Sequence, residues 1–426
     1  MSTSKQKAIE FLKNNLDSKL ITYLNSCVHC GLCAESCHYY LSNNEYLPVQ
    51  KIELLSQIYS RYNTILGRII PKFINAKNFD DVMINKMIDV FFGSCTMCGR
   101  CSINCSIGID IPLLVRTARS MLVELGLVPA GLQSTVDAAV NTGNNMAIPR
   151  EEFVDTLEWL EEDLRLEVND ETASIPMDKV GKNILYTLNP REPKFFPLSI
   201  SAMAKIFYGA KENWAISTNC YDVTNYPYFS GDNNSARELT QRLYNEMLKL
   251  KAKRLILAEC GHGSRAIRWE GPRWIENSYP FEVITVIELI AEYIRMGRIK
   301  LNPTKNTDVF TLHDPCNLVR SGGIIEEQRF ILKNAVTNFV EMIPNRIDNY
   351  CCGGGGGQLS MSEYNSRRIE SGEIKANQIR KTGAKIVATP CHNCIDQLME
   401  INNVYKLGVE IKTIGEIVAG ALIIEK

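Results

Sequence analysis

The stretch 27-CVHCGLCAESC-37, matched in spacing by 95-CTMCGRCSINC-105, decides how the N-terminal part of this chain must fold. In both, cysteines stand at CxxCxxCxxxC intervals: Cys27, Cys30, Cys33 and Cys37 in the first, Cys95, Cys98, Cys101 and Cys105 in the second. Three thiolates so closely spaced can wrap one face of an iron-sulfur cubane. Gly31 and Ala34 in the first loop, and Gly99 and Ser102 in the second, leave room for the backbone to curl around sulfide. A structural zinc ion is the alternative, but duplicated triplets followed by a remote fourth thiol fit cubanes better. Neither fourth cysteine is followed by proline, the residue that usually closes such a motif.

The composition narrows the setting. A chain of 426 residues with 45% hydrophobic content can furnish the cores of two to four domains, which excludes general disorder. Forty-seven basic against forty-eight acidic residues leave a formal charge of -1, so no global field attracts nucleic acid. The clustering of the 15 cysteines argues against a disulfide scaffold. The start, MSTSKQKAIEFLKNN, lacks an apolar signal core and a twin arginine, which predicts a reducing, cytoplasmic location. No apolar run reaches the eighteen or so residues that cross a bilayer. The stretch ITVIELIAEYI at 284–294 carries two glutamates and reads as a soluble buried helix. Membrane contact is therefore expected only through partners.

The pattern along the chain predicts an α+β multidomain protein, a helical cysteine-bearing domain followed by two pseudo-repeated α/β units. Residues 1–128 hold both motifs, with helices expected at 51–62, 81–92 and 112–126. Residues 129–180 read as a connector with an acidic, peripheral helix. NILYTLNP at 183–190 resembles DVFTLHDP at 308–315, and AKRLILAEC at 252–260 resembles AKIVATPC at 384–391, so repeats are expected at 181–303 and 304–426. Cys220 to Cys260 and Cys351 to Cys391 are both separated by 40 residues, which gives the repeat a register.

The paired motifs resemble those of two-cluster ferredoxins, in which the fourth cysteine of each motif crosses to the other cluster. That resemblance implies two cubane [4Fe-4S] clusters, one on Cys27, Cys30, Cys33 and Cys105, the other on Cys95, Cys98, Cys101 and Cys37. The long helical stretch between the motifs resembles the helical ferredoxin modules of succinate dehydrogenase and heterodisulfide reductase subunits. His29 and His38 lie in or beside the first motif and read as accessory, since four thiolates per cubane are already present.

The second repeat adds HDPC at 313–316, CCGGGGG at 351–357 and PCHNC at 390–394, hence five thiols: Cys316, Cys351, Cys352, Cys391 and Cys394. Here the chain resembles the cysteine-rich domain family, often called CCG, which includes catalytic subunits of heterodisulfide reductases. The resemblance implies a noncanonical [4Fe-4S] cluster on those five cysteines, acting on a disulfide or related sulfur substrate. Structural zinc or a redox-inert cluster is the competing reading. CCGGGGG lacks the lysine and hydroxyl residue of a phosphate loop and the glycine spacing of a dinucleotide fingerprint. The first repeat has only Cys220 and Cys260, with Arg191 or Glu192 near the position of Cys316, too few thiols for a second site. LAECGHGSRAIRW at 257–269 resembles the dissimilatory sulfite reductase complex K subunit and related iron-sulfur subunits of membrane redox complexes.

That family implies an oxidoreductase subunit, peripheral on the inner face of the cytoplasmic membrane, exchanging electrons between a cytochrome b and quinone pool and a disulfide or trisulfide. The implied partners are a membrane cytochrome b-type subunit, further cytochrome or ferredoxin subunits, and a small protein with redox-active C-terminal cysteines. His262, His313 and His392 stand beside the repeat motifs as candidate proton donors to a departing thiolate, and Cys260 as a further candidate contact. Arg265, Arg268, Arg273 and Arg320 are candidates for a cationic rim. Two other classes stay open: a conduction-only subunit of a glycolate or lactate oxidising complex, and a wiring subunit without substrate chemistry.

Overall fold

The computed structural model describes residues 3–275 and 278–424 and divides into two units. The first contains residues up to 134 together with 227–233 and 350–375; the second contains 135–226, 234–349 and the chain from 376 onward. Among the described residues no helix is long and apolar enough to cross a membrane.

Side-chain caps set the helix starts of the first unit. Asp17 accepts the backbone N–H of Leu20 at 2.7 Å, Asp80 that of Met83 at 2.9 Å and Asp110 that of Leu113 at 3.1 Å. These begin helices Ser18–Ser26, Asp81–Phe91 and Ile111–Val123. Helix Pro48–Asn63 starts on proline, whose missing N–H would have no helical partner in the first turn. Its buried stripe of Ile52, Leu55, Ile58 and Tyr59 serves the packing against Ser18–Ser26 and Ile111–Val123. Each cysteine motif turns through a left-handed glycine, Gly31 at φ 83° and Gly99 at φ 77°, into a short helix, Leu32–Glu35 and Arg100–Ile103. These two short helices pack on each other.

Residues 350–375, which the sequence division places in the second repeat, belong to this first unit. Helix Asn365–Ser371 packs on His38–Ser42, and Arg367 pairs with Asp89 at 2.7 Å. Gln358 donates its side-chain amide to the carbonyls of Phe92 and Cys95. The glycine run has a steric cause at Gly356, where φ is +63° and an added Cβ would lie 2.7 Å from the carbonyl of Thr96.

The second unit carries both α/β repeats. Strands β1 (Ile184–Tyr186), β2 (Trp214–Ile216), β3 (Arg254–Leu257) and β4 (Glu282–Thr285) form a sheet of order β2-β1-β3-β4. After the two-residue β5 (Lys300–Leu301), strands β6 (Val309–Leu312), β7 (Asn338–Val340), β8 (Ile386–Ala388) and β9 (Glu410–Lys412) give the order β7-β6-β8-β9. Every pairing in both four-stranded sheets is parallel, and the two orders are equivalent. The short β-branched runs thus read as strands buried on both faces by crossover helices. β10 (Leu422–Ile423) returns to pair antiparallel with β5.

A second signature of the repeat lies in its caps. TVIE at 285–288 and TIGE at 413–416 each form a complete capping box at the start of the helix after the last strand, Val286–Arg295 and Ile414–Ala421. Helix Pro197–Gly209 packs on Ile414–Ala421, and Val286–Arg295 on Glu326–Ala335, so one apolar core runs through both repeats. The expected connector at 129–180 contains helix Arg150–Val168, whose Phe153, Leu157, Leu160 and Leu164 enter that core while its glutamates stay outside. It packs on Pro197–Gly209 as a layer of the first repeat.

Candidate functional site

In the first unit the eight motif cysteines line two cavities. Cys27, Cys30, Cys33 and Cys105 border one; Cys37, Cys95, Cys98 and Cys101 border the other. Burial pushes the Cys33 thiol up to about 11, and its neighbours Cys27, Cys105 and Cys30 push in the same direction. Burial also raises Cys37, Cys95 and Cys101. Four soft sulfur donors around one cavity suit a cationic iron-sulfur core, which supplies the countercharge that thiolates need. The donor set therefore fits a cubane in each cavity.

Lys51 is a residue that the sequence reading overlooked. It is 2% exposed, lines the second cavity, and its Nζ has no hydrogen-bond partner among the described residues. Its charge works against the rise at Cys37 and Cys95. The clue was a lysine on the apolar stripe of 51–62, beside Ile52 and one turn before Leu55. Lys51→Met is expected to lower the reduction potential of a cluster in that cavity, because removing a cation disfavours the more negative reduced state. A unit charge ~8 Å away at an effective dielectric of ~20 contributes about 2 kcal/mol. That corresponds to roughly 90 mV for one electron. Potentiometric titration followed by electron paramagnetic resonance measures this; an unchanged potential would rule the tuning role out.

His38 is buried, with Nε2 3.4 Å from Thr96 Oγ1. One ring nitrogen and the sulfurs of Cys98 and Cys351 lie within 4.8 Å of one another. Burial works to lower the His38 pKa, but bonds to Cys351 and Cys98 outweigh it and raise it to about 9. Cys351 also donates to Thr96 Oγ1 at 3.5 Å. Cys351 of the CCG loop is thus placed against the second ferredoxin-type motif. Cys351 and Cys352 are both buried, and their sulfurs accept the backbone N–H of Gly353 at 3.4 Å and Gly354 at 3.5 Å. His29, by contrast, is exposed.

In the second unit the remaining candidates gather beyond the carboxyl ends of β3, β6 and β8, where open α/β sheets bind ligands. Cys260 caps the turn after β3, and Cys391 caps helix His392–Tyr405 after β8. Cys316 opens helix Cys316–Val319, and the repeat register puts Arg191, first residue of helix Arg191–Phe195, at the same place. Arg191 pairs there with Asp396. The same register sets Gly263 opposite Cys394 and Tyr221 opposite Cys352, so the first repeat lacks three of the five thiols by direct replacement.

The Cys391 thiol is held below its ordinary range by its bond to Cys394 and by the backbone N–H groups of Gly261, Cys394 and Asn393, which together exceed the effect of burial. A stabilised thiolate at a helix N-terminus suits a metal ligand. Burial and the neighbouring Cys391 push Cys260 up instead, so it is the protonated partner. Cys220 is pushed up to about 12, chiefly by burial. A ring nitrogen of His313 lies within 4.8 Å of Cys394 Sγ.

A buried polar network, unforeseen from sequence, surrounds these thiols. Asn393 donates to Tyr226 OH at 2.9 Å, lies 2.9 Å from His262 Nδ1, and accepts from Asn189 at 3.0 Å. Asn189 also reaches Cys260 Sγ at 3.6 Å. His392 Nδ1 lies 3.2 Å from the Glu259 carbonyl and Nε2 3.3 Å from Ser199 Oγ. Burial lowers His262 to about 3 and His392 to about 4, so both rings are neutral at pH 7. As neutral rings they orient neighbours; neither holds an imidazolium proton in reserve.

Asp314 of the HDPC segment is fully buried and bonded through both oxygens to Arg329, at 2.9 and 2.8 Å. Arg320 donates to the carbonyls of Ile347 and Asn349, at 2.7 and 2.5 Å. Arg265 and Arg273 pair with Glu270, and Arg268 with Glu288. Of the four, Arg320 fixes the loop at 347–349, while the other three are held by glutamates.

Comparisons with known proteins agree with this architecture. Residues 23–109 match the 4Fe-4S dicluster domain family, and residues 310–399 match the cysteine-rich domain family. An Hdr-like menaquinol oxidoreductase iron-sulfur subunit of Archaeoglobus profundus is 27% identical over 97% of this chain and 82% of that protein. A subunit of the dihydromethanophenazine:CoB--CoM heterodisulfide reductase of Methanosarcina barkeri is 26% identical over 96% of each. An EtfAB:quinone oxidoreductase of Syntrophomonas wolfei is 23% identical over 88% of this chain and 55% of that protein. With matches to a dicluster domain and a cysteine-rich domain and likeness along nearly its whole length, the chain is similar to the iron-sulfur subunits of Hdr-like menaquinol oxidoreductases and to a heterodisulfide reductase subunit.

Proposed function

We propose that this protein is the catalytic iron-sulfur subunit of a heterodisulfide reductase-like complex on the inner face of the cytoplasmic membrane. Electrons pass between a cytochrome b and quinone pool and a disulfide or trisulfide; with two electrons and two protons the disulfide yields two thiols, and the trisulfide a thiol and a persulfide. The observation that carries this reading is the retention of all five CCG thiols in the second repeat, where the first has Arg191, Tyr221 and Gly263 in place of three of them. Cys316, Cys351, Cys352, Cys391 and Cys394 would hold a noncanonical [4Fe-4S] cluster there. When bound, that group supplies the electrons for cleaving the sulfur–sulfur bond.

The residues around it have separable tasks. The Cys391 thiol is held below its ordinary range by its bond to Cys394 and by backbone N–H groups. Asn393, bonded to Tyr226 and Asn189, holds the first turn of helix His392–Tyr405 against the first repeat. Cys351 beside Cys98 and His38 favours electron passage from the second ferredoxin-type cavity. The resemblance of 257–269 to the dissimilatory sulfite reductase complex K subunit supports a small protein with redox-active C-terminal cysteines as the substrate-side partner.

A conduction-only role, as in a glycolate or lactate oxidising complex, is the second reading, favoured by the likeness to a quinone oxidoreductase whose name mentions no disulfide. Electron paramagnetic resonance separates the two. Anaerobically purified protein, oxidised with and without a thiol-bearing partner, is expected to show a thiol-dependent signal that Cys352→Ser abolishes while the ferredoxin-type signals survive. A fully iron-loaded protein with no thiol-dependent signal would sink the reductase reading and favour conduction.

A further inference from the structure

We propose that residues 64–77 form a wedge that inserts into the anionic headgroup layer of a membrane, so that the protein touches lipid directly as well as through any partner. The inference does not depend on the sulfur chemistry above.

The segment TILGRIIPKFINAK at 64–77 follows helix Pro48–Asn63 and contains the short helix Ile65–Ile69 and a turn. Its large apolar side chains point to solvent: Ile65 is 75% exposed, Leu66 56%, Ile69 70%, Ile70 39% and Phe73 88%. Exposed single hydrophobics are ordinary; five within nine residues are not. The tip is not loosely held. Arg61 donates to Asn78 Oδ1 at 2.8 Å and to the Gly67 carbonyl at 3.1 Å. Arg68 donates to the Tyr62 carbonyl at 2.8 Å, and Tyr62 OH accepts the backbone N–H of Phe79 at 3.0 Å. Phe79 and Ala76 are buried and root the far end. The apolar side chains are thus presented on a pinned turn.

Charge decides which occupant fits. Arg68, Lys72 and Lys77 are exposed among these apolar residues, and no acidic residue occurs from Thr64 to Phe79. Protein interfaces are depleted of lysine at their apolar centres. Interleaved lysine, arginine and bulky apolar residues instead suit the headgroup boundary of an anionic bilayer, where each cation adds about fivefold to partitioning.

The position also has a functional consequence. Ile74 and Asn75, at the root of the turn, line a cavity of about 240 Å³ together with Cys27 and His29. Insertion would bring the cavity of Cys27, Cys30, Cys33 and Cys105 close to the plane from which a lipid-soluble electron carrier reacts.

The test is vesicle flotation of the full, iron-loaded chain with phosphatidylcholine alone and with about one third phosphatidylglycerol added. Binding at least about tenfold stronger to the anionic vesicles is expected, weakened by high salt. Phe73→Asp and Ile69→Asp should each lower binding by about tenfold or more, and Lys72→Glu should remove most of the anionic preference, all with unchanged iron content. Phe73→Trp, compared with the native protein, should gain emission that brominated lipids quench. Equal partition to both vesicle types, full binding by Phe73→Asp, or an unquenched Trp in bound protein would each overturn the proposal. Absence of vesicle binding by the native chain would also overturn it and assign the patch to a protein partner.

Discussion

Arg119→Ala is expected to destabilise the first unit by about 4 kcal/mol or more, and to reduce iron occupancy at Cys37, Cys95, Cys98 and Cys101. Arg119 is fully buried in helix Ile111–Val123. Its guanidinium donates twice to the Phe91 carbonyl, at 3.0 and 2.8 Å, and once each to Cys95 at 2.9 Å, Phe229 at 2.5 Å and Gly356 at 2.7 Å. It also stacks over Phe92 with a centroid distance of 4.6 Å. One side chain therefore ties the second cysteine motif to the glycine run and to residues 227–233, segments far apart in sequence. Burial lowers its pKa to about 10, which leaves it cationic at neutral pH. Truncation would remove the Arg119 bonds to four buried carbonyls, at about 1–3 kcal/mol for each one left without a donor. Denaturant unfolding and iron analysis measure the outcome. Arg119→Lys, which keeps the charge but loses the fork geometry, should fall between. A loss below about 1 kcal/mol for alanine would contradict this account.

Arg329→Ala is expected to cost about 3–5 kcal/mol in the second unit, because it leaves the Asp314 carboxylate buried without its countercharge. The pair is bidentate and both side chains are 1% exposed. Glu341 adds contacts at 2.7 and 3.0 Å. Burial opposes the charge on Arg329, but Asp314 and Glu341 hold its pKa well above the ordinary value. Asp314 also accepts from Gln328 at 2.9 Å and from the backbone of Arg346 at 2.7 Å, so the loop bearing His313 and Cys316 is fixed by this cluster. The double replacement Arg329→Leu with Asp314→Leu should cost much less than the sum of the single changes, since no unpaired charge remains. Additive losses in that double-mutant cycle would show that the two side chains act independently.

Much of the organisation was legible in one dimension. The CxxCxxCxxxC spacing, the helix-period stripe at 51–62, the strand runs at 183–190 and 308–315, and the 40-residue register of the repeat all rest on local periodicity and fixed intervals. The capping boxes at Thr285 and Thr413 are an equally local repeat signal, carried by a threonine and a glutamate three residues apart. The arginines at 265, 268, 273 and 320 show the limit: sequence could place them near the repeat motifs, but only the structure names their partners, glutamates for the first three and loop carbonyls for Arg320.

What the amino-acid order determined by itself was the chemistry available: fifteen thiols, most of them in cluster-forming intervals, two pseudo-repeated α/β units, and one repeat stripped of ligands. What only the tertiary structure decided was which distant groups share one environment. Residues 350–375 join the ferredoxin-type unit, Cys351 meets Cys98 and His38, Lys51 is turned inward, and the apolar side chains of 65–73 are turned outward. The physical reason is that periodicity reports which face of a single element is apolar. Burial, ionisation and exposure depend on what packs against that face, and those partners come from positions with no fixed spacing in the chain.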